Sequence, residues 1–131
     1  MRLLMTTLAA AACFNATVCV AQTTRTARSL PSYVCMSLNI TDAQAQDFKF
    51  HVPFYSAPDS SSRAVGFAGS QVAVRYPTHE VNGFVEALFP TGATAWIAAN
   101  YVRPYHSALD PTAKCVPVIM ANGRQGFSYP H

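Results

Sequence analysis

Charge is what this sequence has least of. Nine Lys and Arg with six Asp and Glu make up only 11% of 131 residues, against about a quarter in an ordinary soluble domain. Coiled coils and disordered polyelectrolytes both need far more. The basic residues are scattered rather than gathered in a run, so the footprint of a nucleic-acid binder is missing. Six glycines with no triplet period exclude a collagen. The length excludes a nucleotide-binding domain joined to a substrate domain and favours a single domain.

Catalytic signatures are scarce too. No Gly-x-Ser-x-Gly and no phosphate-binding glycine loop occurs. His51, His79, His106 and His131 never fall three or four apart, which leaves a helical or finger-type zinc site without support. Asp42 with Asp47, or Glu80 with Glu86, carries no mark of a buried pair with divergent pKa values. A cysteine–histidine wall hydrolase would need a further domain for which there is no room. The expectation is a protein with no enzymatic activity, no metal and no cofactor.

What is present in quantity is apolar. Half the residues are hydrophobic, with eight Phe, six Tyr and one Trp. The first stretch of this apolar material reads as an address. Arg2 is followed by Leu3, Leu4, Met5 and an alanine-rich run to Ala12. Apolar character returns over Val18–Ala21, and no acidic residue precedes Asp42. This is the pattern of a secretory signal peptide over residues 1–21, cut after Ala21 with Cys19 at the third position before the cut. Thr6, Thr7, Asn15 and Thr17 interrupt the stretch, which argues against a lasting membrane span. Ala10-Ala11-Ala12-Cys13 occupies the place of a lipobox. It lacks the larger aliphatic three before the cysteine, and the chain stays apolar through Ala21. The expected location is periplasmic or secreted.

Cleavage leaves Cys35 and Cys115. In an oxidising compartment a pair in a small domain reads first as a disulfide, here closing a loop of about 80 residues. The chain-entropy model values such a loop at about 4 kcal/mol. The alternative, a reactive thiol, needs a basic neighbour, and neither cysteine has one in sequence.

Between the cysteines, short alternating blocks broken by turn signals read as strands. Phe48, Phe50, Val52 and Phe54 share one phase, with Lys49, His51 and Tyr55 on the other. Pro58–Ser62 is a loop by composition. Val65 and Phe67 form a strand ended by Gly69, and Val72, Val74 and Tyr76 alternate with Ala73 and Arg75. His79–Gly83 is a polar connection closing on Asn82-Gly83, a pair suited to positive φ. Val85, Ala87 and Phe89 alternate with Phe84, Glu86 and Leu88. Pro90–Ala93 is a turn and Thr94–Ala98 a strand. Ile40–Phe48 has room for one helical turn, Thr23–Ser32 reads as a polar mobile lead, and Val116–Ala121 with Arg124–Phe127 reads as a hairpin about Asn122-Gly123. Five or six short strands in the middle of the chain predict a small barrel.

Four segments in order carry a family resemblance. They are Val52-Pro53-Phe54-Tyr55-Ser56-Ala57-Pro58, Arg63–Gly69, Asn82-Gly83-Phe84-Val85-Glu86-Ala87, and Ala95–Val102. Together they resemble the bacterial Src-homology-3 (SH3) domain from Val52 to Pro104. The resemblance implies an all-β SH3-like barrel over residues 48–106. N- and C-terminal extensions at 22–47 and 107–131 would be joined by the Cys35–Cys115 bridge, and a single 3₁₀ turn would precede the last barrel strand. In eukaryotic relatives an aromatic ridge takes proline-rich peptides. Here Tyr55 matches the first ridge position, Phe84 the groove tryptophan, and Asn100 and Tyr101 the closing turn. Phe84 cannot donate an N–H bond, Ala98 replaces the groove proline, and the acidic specificity loop is missing, all against a proline-motif reader.

Trp96 alternates with Ile97. Since β-branched Ile97 is the better core residue, Trp96 is left partly exposed, a hint of interaction. Bacterial members of the family often bind peptidoglycan peptides or envelope partners. The reading is therefore a non-catalytic exported binding module, taking cell-wall peptide or an envelope protein on Tyr55, Phe84, Trp96, Asn100 and Tyr101. A secreted inhibitor or effector, or a structural subunit of an envelope assembly, is the alternative.

Overall fold

The computed structural model describes residues 27–130. The leader expected over residues 1–21, including Cys13 and Cys19, lies outside the described residues. The elements in chain order are β1 (Arg28–Ser29), β2 (Tyr33–Leu38), α1 (Asp42–Gln46), β3 (Pro53–Tyr55), β4 (Ala64–Phe67) and β5 (Gln71–Arg75). They continue with β6 (Glu80–Val81), β7 (Phe84–Leu88), β8 (Thr94–Ala98), a 3₁₀ turn (Ala99–Tyr101), β9 (Val102–Pro104), β10 (Val116–Ile119) and β11 (Gln125–Ser128).

Two antiparallel sheets result. The larger runs β4-β3-β8-β7-β5-β2-β9, with β6 added on β7, and the smaller runs β1-β10-β11. The chain is mostly β, as expected, but the larger sheet is not the closed barrel expected from the strand count. It has eight strands rather than five or six. The connection His79–Gly83 contains β6, and β2 enters between β5 and β9, pairing with both. By filling that slot β2 leaves β4 and β9 as separate free edges. Both edges are short, and β9 ends on Pro104, which lacks an N–H and blunts further pairing.

One face of the larger sheet holds the core. Val52, Phe54, Val72, Val74, Val85, Ala87, Ala95 and Ile97 form a single buried cluster, supplied by the period-two alternation of β5, β7 and β8. The alternation assumed from Phe48 to Phe54 does not hold along its whole length. Phe48 is 96% exposed. The Asp47 carboxylate accepts from Lys49 N at 2.9 Å and its carbonyl from Phe50 N at 3.0 Å. That Asx-type turn redirects the chain, so the strand proper is only Pro53–Tyr55. The helical turn foreseen nearby is α1. Thr41 Oγ1 accepts from Gln44 N and Gln44 Oε1 accepts from Thr41 N, a capping box that holds so short a helix.

The pairing of β3 with β4 skips one residue. Phe54 faces Gly66 and Tyr55 faces Ala64, leaving Val65 as a bulge. Gly66 is needed there. A Cβ on it would stand 2.5 Å from the Phe89 ring, which packs edge-on to Phe54 at 5.6 Å.

The smaller sheet covers part of the opposite face. Cys35 of β2 is bonded to Cys115, with Cα atoms 5.8 Å apart. Gln125 N donates to Pro90 O at 3.0 Å and Leu30 N to Pro117 O at 2.9 Å. Arg28 and Ser29, read from sequence as part of a mobile lead, pair with Ile119 and Val118. The expected hairpin about Asn122-Gly123 is β10–β11, with Gly123 at φ 80°.

Candidate functional site

Register on the outer face defines the site. Tyr33 pairs with Arg75, Glu86 with Trp96, and Trp96 with Tyr55. The β5–β7 pairing of Ala73 with Leu88 continues to bring Arg75 beside Glu86. Tyr33, Arg75, Glu86, Trp96 and Tyr55 thus form one row across five strands, about 19 Å long at the usual strand spacing.

At the centre of the row is a carboxylate. Glu86 is 7% exposed. Arg75 Nη1 donates to its Oε1 at 3.1 Å, and His79 Nδ1 lies 2.9 Å from its Oε2. Burial pushes the Glu86 carboxyl upward, but the hydrogen bonds from His79 and Arg75, and their charges, outweigh it and hold the group below its ordinary value. An ionised carboxylate only accepts, so Nδ1 of His79 carries the proton and Nε2 is left uncommitted. The two donors are half-open, at 49% and 55% side-chain exposure. The negative charge lies beneath and the basic groups lie outward. The His79 ring also meets Trp96 edge-on at 5.4 Å.

The second part of the site is aromatic. Tyr55 and Phe84 meet at 5.6 Å with planes 89° apart. Their strands, β3 and β7, are not neighbours; both flank β8, where Ala98 stands opposite Phe84. The small Ala98 side chain leaves the gap that the two rings bridge. The Asn82-Gly83 turn, with φ 52° and 78°, forms the rim. Asn82 Nδ2 donates to Pro58 O at 3.4 Å. The Pro58–Ser62 loop is held by Asp59, which accepts from Ser61 N and Ser61 Oγ, contacts that lower its pKa.

Of the residues singled out by sequence, Tyr55, Phe84 and Trp96 are therefore brought together. Asn100 and Tyr101 are engaged elsewhere. Tyr101 packs on the core and meets Phe50 edge-on at 6.3 Å. Asn100 is exposed, and its carbonyl accepts from Asn39 Nδ2 at 3.0 Å. Ile97 is fully buried, leaving Trp96 half-buried on the outer face. Cys35 and Cys115 are the disulfide.

Sequence reasoning missed the Arg75–Glu86–His79 cluster, although a signal was present. Counting outward from a two-residue turn at Asn82-Gly83 sets residue 81 opposite 84, 80 opposite 85, and His79 opposite Glu86. Glu86 N indeed donates to His79 O at 3.0 Å.

A cleft of about 250 Å³ lies where the two sheets meet, lined by Phe54, Leu88, Pro90, Gln125 and Phe127 among others. Its polar groups are occupied by the chain itself. Gln125 Nε2 donates to Gly126 O, and Gln71 Oε1 accepts from Ser70 Oγ and Tyr129 Oη. Burial, with Tyr105 adding to it, raises the Tyr129 phenol, which stays protonated as the donor. The cleft is a packing seam.

Among the described residues, no group of three or more His, Cys, Asp and Glu could hold a metal ion, and no helix is long and apolar enough to cross a membrane. The disulfide is compatible with an oxidising compartment. Comparison with protein-family models, with curated proteins and with solved structures finds no match in any of the three.

Proposed function

We propose that the chain is an exported, non-catalytic binding module of the bacterial SH3-like kind, taking an extended peptide on the outer face of its larger sheet. The peptide is supplied by the cell wall or by an envelope protein. One observation carries this reading: Tyr55, Phe84 and Trp96 are partly open on one face, beside hydrogen-bonding groups that point outward. Flat rings cover apolar side-chain stems, and adjacent polar groups fix the register of a backbone. The 3₁₀ turn leading into β9, and the Asn-Gly hairpin before β7, support the SH3-like part of the reading.

Sedimentation with purified peptidoglycan sacculi tests it. The expected result is co-sedimentation that Trp96→Ala and Tyr55→Ala abolish while the circular dichroism spectrum is retained. A wild-type protein that stays in the supernatant removes the wall as the source. Capture of an envelope protein from extract must then also depend on Trp96, or the face is not the binding surface.

A further inference from the structure

The chemistry of the peptide can be specified further, and this step rests on the binding reading above. Arg75 gives one hydrogen bond to Glu86 through Nη1, yet a guanidinium has five N–H donors in a planar fork. Half of its side chain remains open. His79 spends Nδ1 on the same carboxylate, leaving Nε2 uncommitted beside the Trp96 ring. One buried anion therefore holds two half-open basic groups, Arg75 with unused N–H donors and His79 with an uncommitted Nε2. Glu86, fixed beneath them, cannot swing out to compete for a ligand. Trp96 and Tyr55 continue the row and offer apolar area next to these groups.

We infer that Arg75 and His79, held by Glu86 and flanked by Trp96, form a receptor for a free peptide carboxylate. Arg75 donates to the carboxylate oxygens. His79 donates from Nε2 when its ring carries both protons, since its Nδ1–H is already given to Glu86. The charged and titratable groups around His79 are Arg75 on β5, Glu86 on β7 and Glu80, its exposed neighbour at the start of β6. Trp96 on β8 adds no charge. Glu80 pairs with Val85, a core residue, and so has the opposite phase. With the imidazole charged, Arg75 and His79 exceed Glu86 by one positive charge on the outer face.

The chain has a single tryptophan, so its fluorescence reports on this site alone. Titration of the purified protein with N-acetyl-Ala-Ala should give a saturable change in Trp96 emission, with the C-terminal amide of the same dipeptide about tenfold weaker, the scale of one charge-assisted hydrogen bond. His79→Gln, which cannot carry a positive charge, should weaken binding of the acid more than binding of the amide. Arg75→Gln should lose the acid-over-amide preference and Arg75→Lys should keep part of it, both with native circular dichroism. Equal binding of acid and amide overturns carboxylate recognition while leaving peptide binding on this face intact. Absence of any response to either probe overturns it as well, and the sacculus experiment then judges the wider reading independently.

Discussion

Two adjacent rows on one face of the larger sheet have opposite surroundings. Cys35, Ala73 and Leu88 stand in register across β2, β5 and β7, and all three are buried. Two positions along the same strands, about 7 Å away, stand Tyr33, Arg75 and Glu86, with Trp96 beside Glu86 on β8; apart from the central carboxylate they remain partly open. The strands and the face are the same; the side chains differ. Cys35 and Ala73 are small, and Cys35 carries the covalent link to Cys115, so a second sheet can approach. In the next row, large side chains and charged groups hold such a layer away, because covering them would remove the outward donors from water. Burial in this protein is decided row by row.

The largest effect expected is on the closed row. Replacing both Cys35 and Cys115 by Ser should lower unfolding free energy by about 4 kcal/mol, the chain-entropy value for a closure of this length, read as a shift in urea midpoint. Amide exchange in β10 and β11 should accelerate, because their sheet is then held to the other by only a few backbone bonds such as Gln125 N to Pro90 O. Native Trp96 emission should stay unchanged. A spectral shift would mean that the open row depends on its covered neighbour, and the division between them would fail.

Much of this division was legible in the sequence, but only strand by strand. The phases of β5, β7 and β8 follow directly from alternation, and the exposure of Trp96 against Ile97 follows from β-branching. The single helical turn within Ile40–Phe48 and the Asn82-Gly83 turn are local signals with local physics. What alternation cannot carry is which strands lie side by side. That β2 sits between β5 and β9 depends on pairings more than thirty residues apart in sequence, and the open sheet follows from that insertion. Ala73 shows the same limit. Its phase reads as outward, yet it is fully buried, because a sheet from the far end of the chain covers it. For the site, Tyr55, Phe84 and Trp96 were recognisable as aromatic positions. Glu86 looked like an ordinary strand carboxylate until the hairpin register brought His79 opposite it and β5 brought Arg75 alongside.

Glu86 is the next point of attack, with an effect on the open row alone. Glu86→Gln keeps the shape and removes the charge. At neutral pH it should lower stability by about 1.5–3 kcal/mol, the range for hydrogen bonds to a charged partner. The half-open Arg75 and His79 can recover water, which limits the loss. The pH dependence gives a sharper test. The folded-state pKa of Glu86 lies below its unfolded value. Its contribution is therefore complete above the ordinary glutamate pKa of about 4.3, and it is lost as pH falls through the depressed value. Wild type and Glu86→Gln should differ most near neutrality and converge in acid. Parallel stability curves down to low pH would show that the carboxylate is not the group that holds the two donors.

The smallest effect concerns the aromatic end of the open row. Tyr55 and Phe84 meet edge to face over Ala98 from strands that are not neighbours. A double-mutant cycle of Tyr55→Leu and Phe84→Leu should return a coupling of about 0.5–1.5 kcal/mol, the value of such a ring pair beyond its area. The same cycle read on peptide binding discriminates between two roles. If the pair only supports the sheet, the coupling appears in stability and vanishes from binding, and the ligand surface contracts to Trp96 and its basic neighbours. If the rings form a continuous platform with Trp96, each single substitution weakens binding, and the pair weakens it by less than the sum, because one ring alone no longer presents the bridged surface. Ala98→Val sharpens the distinction. It fills the gap beneath both rings without removing either, so a platform should lose affinity while the inner-face core beneath Ile97 stays untouched.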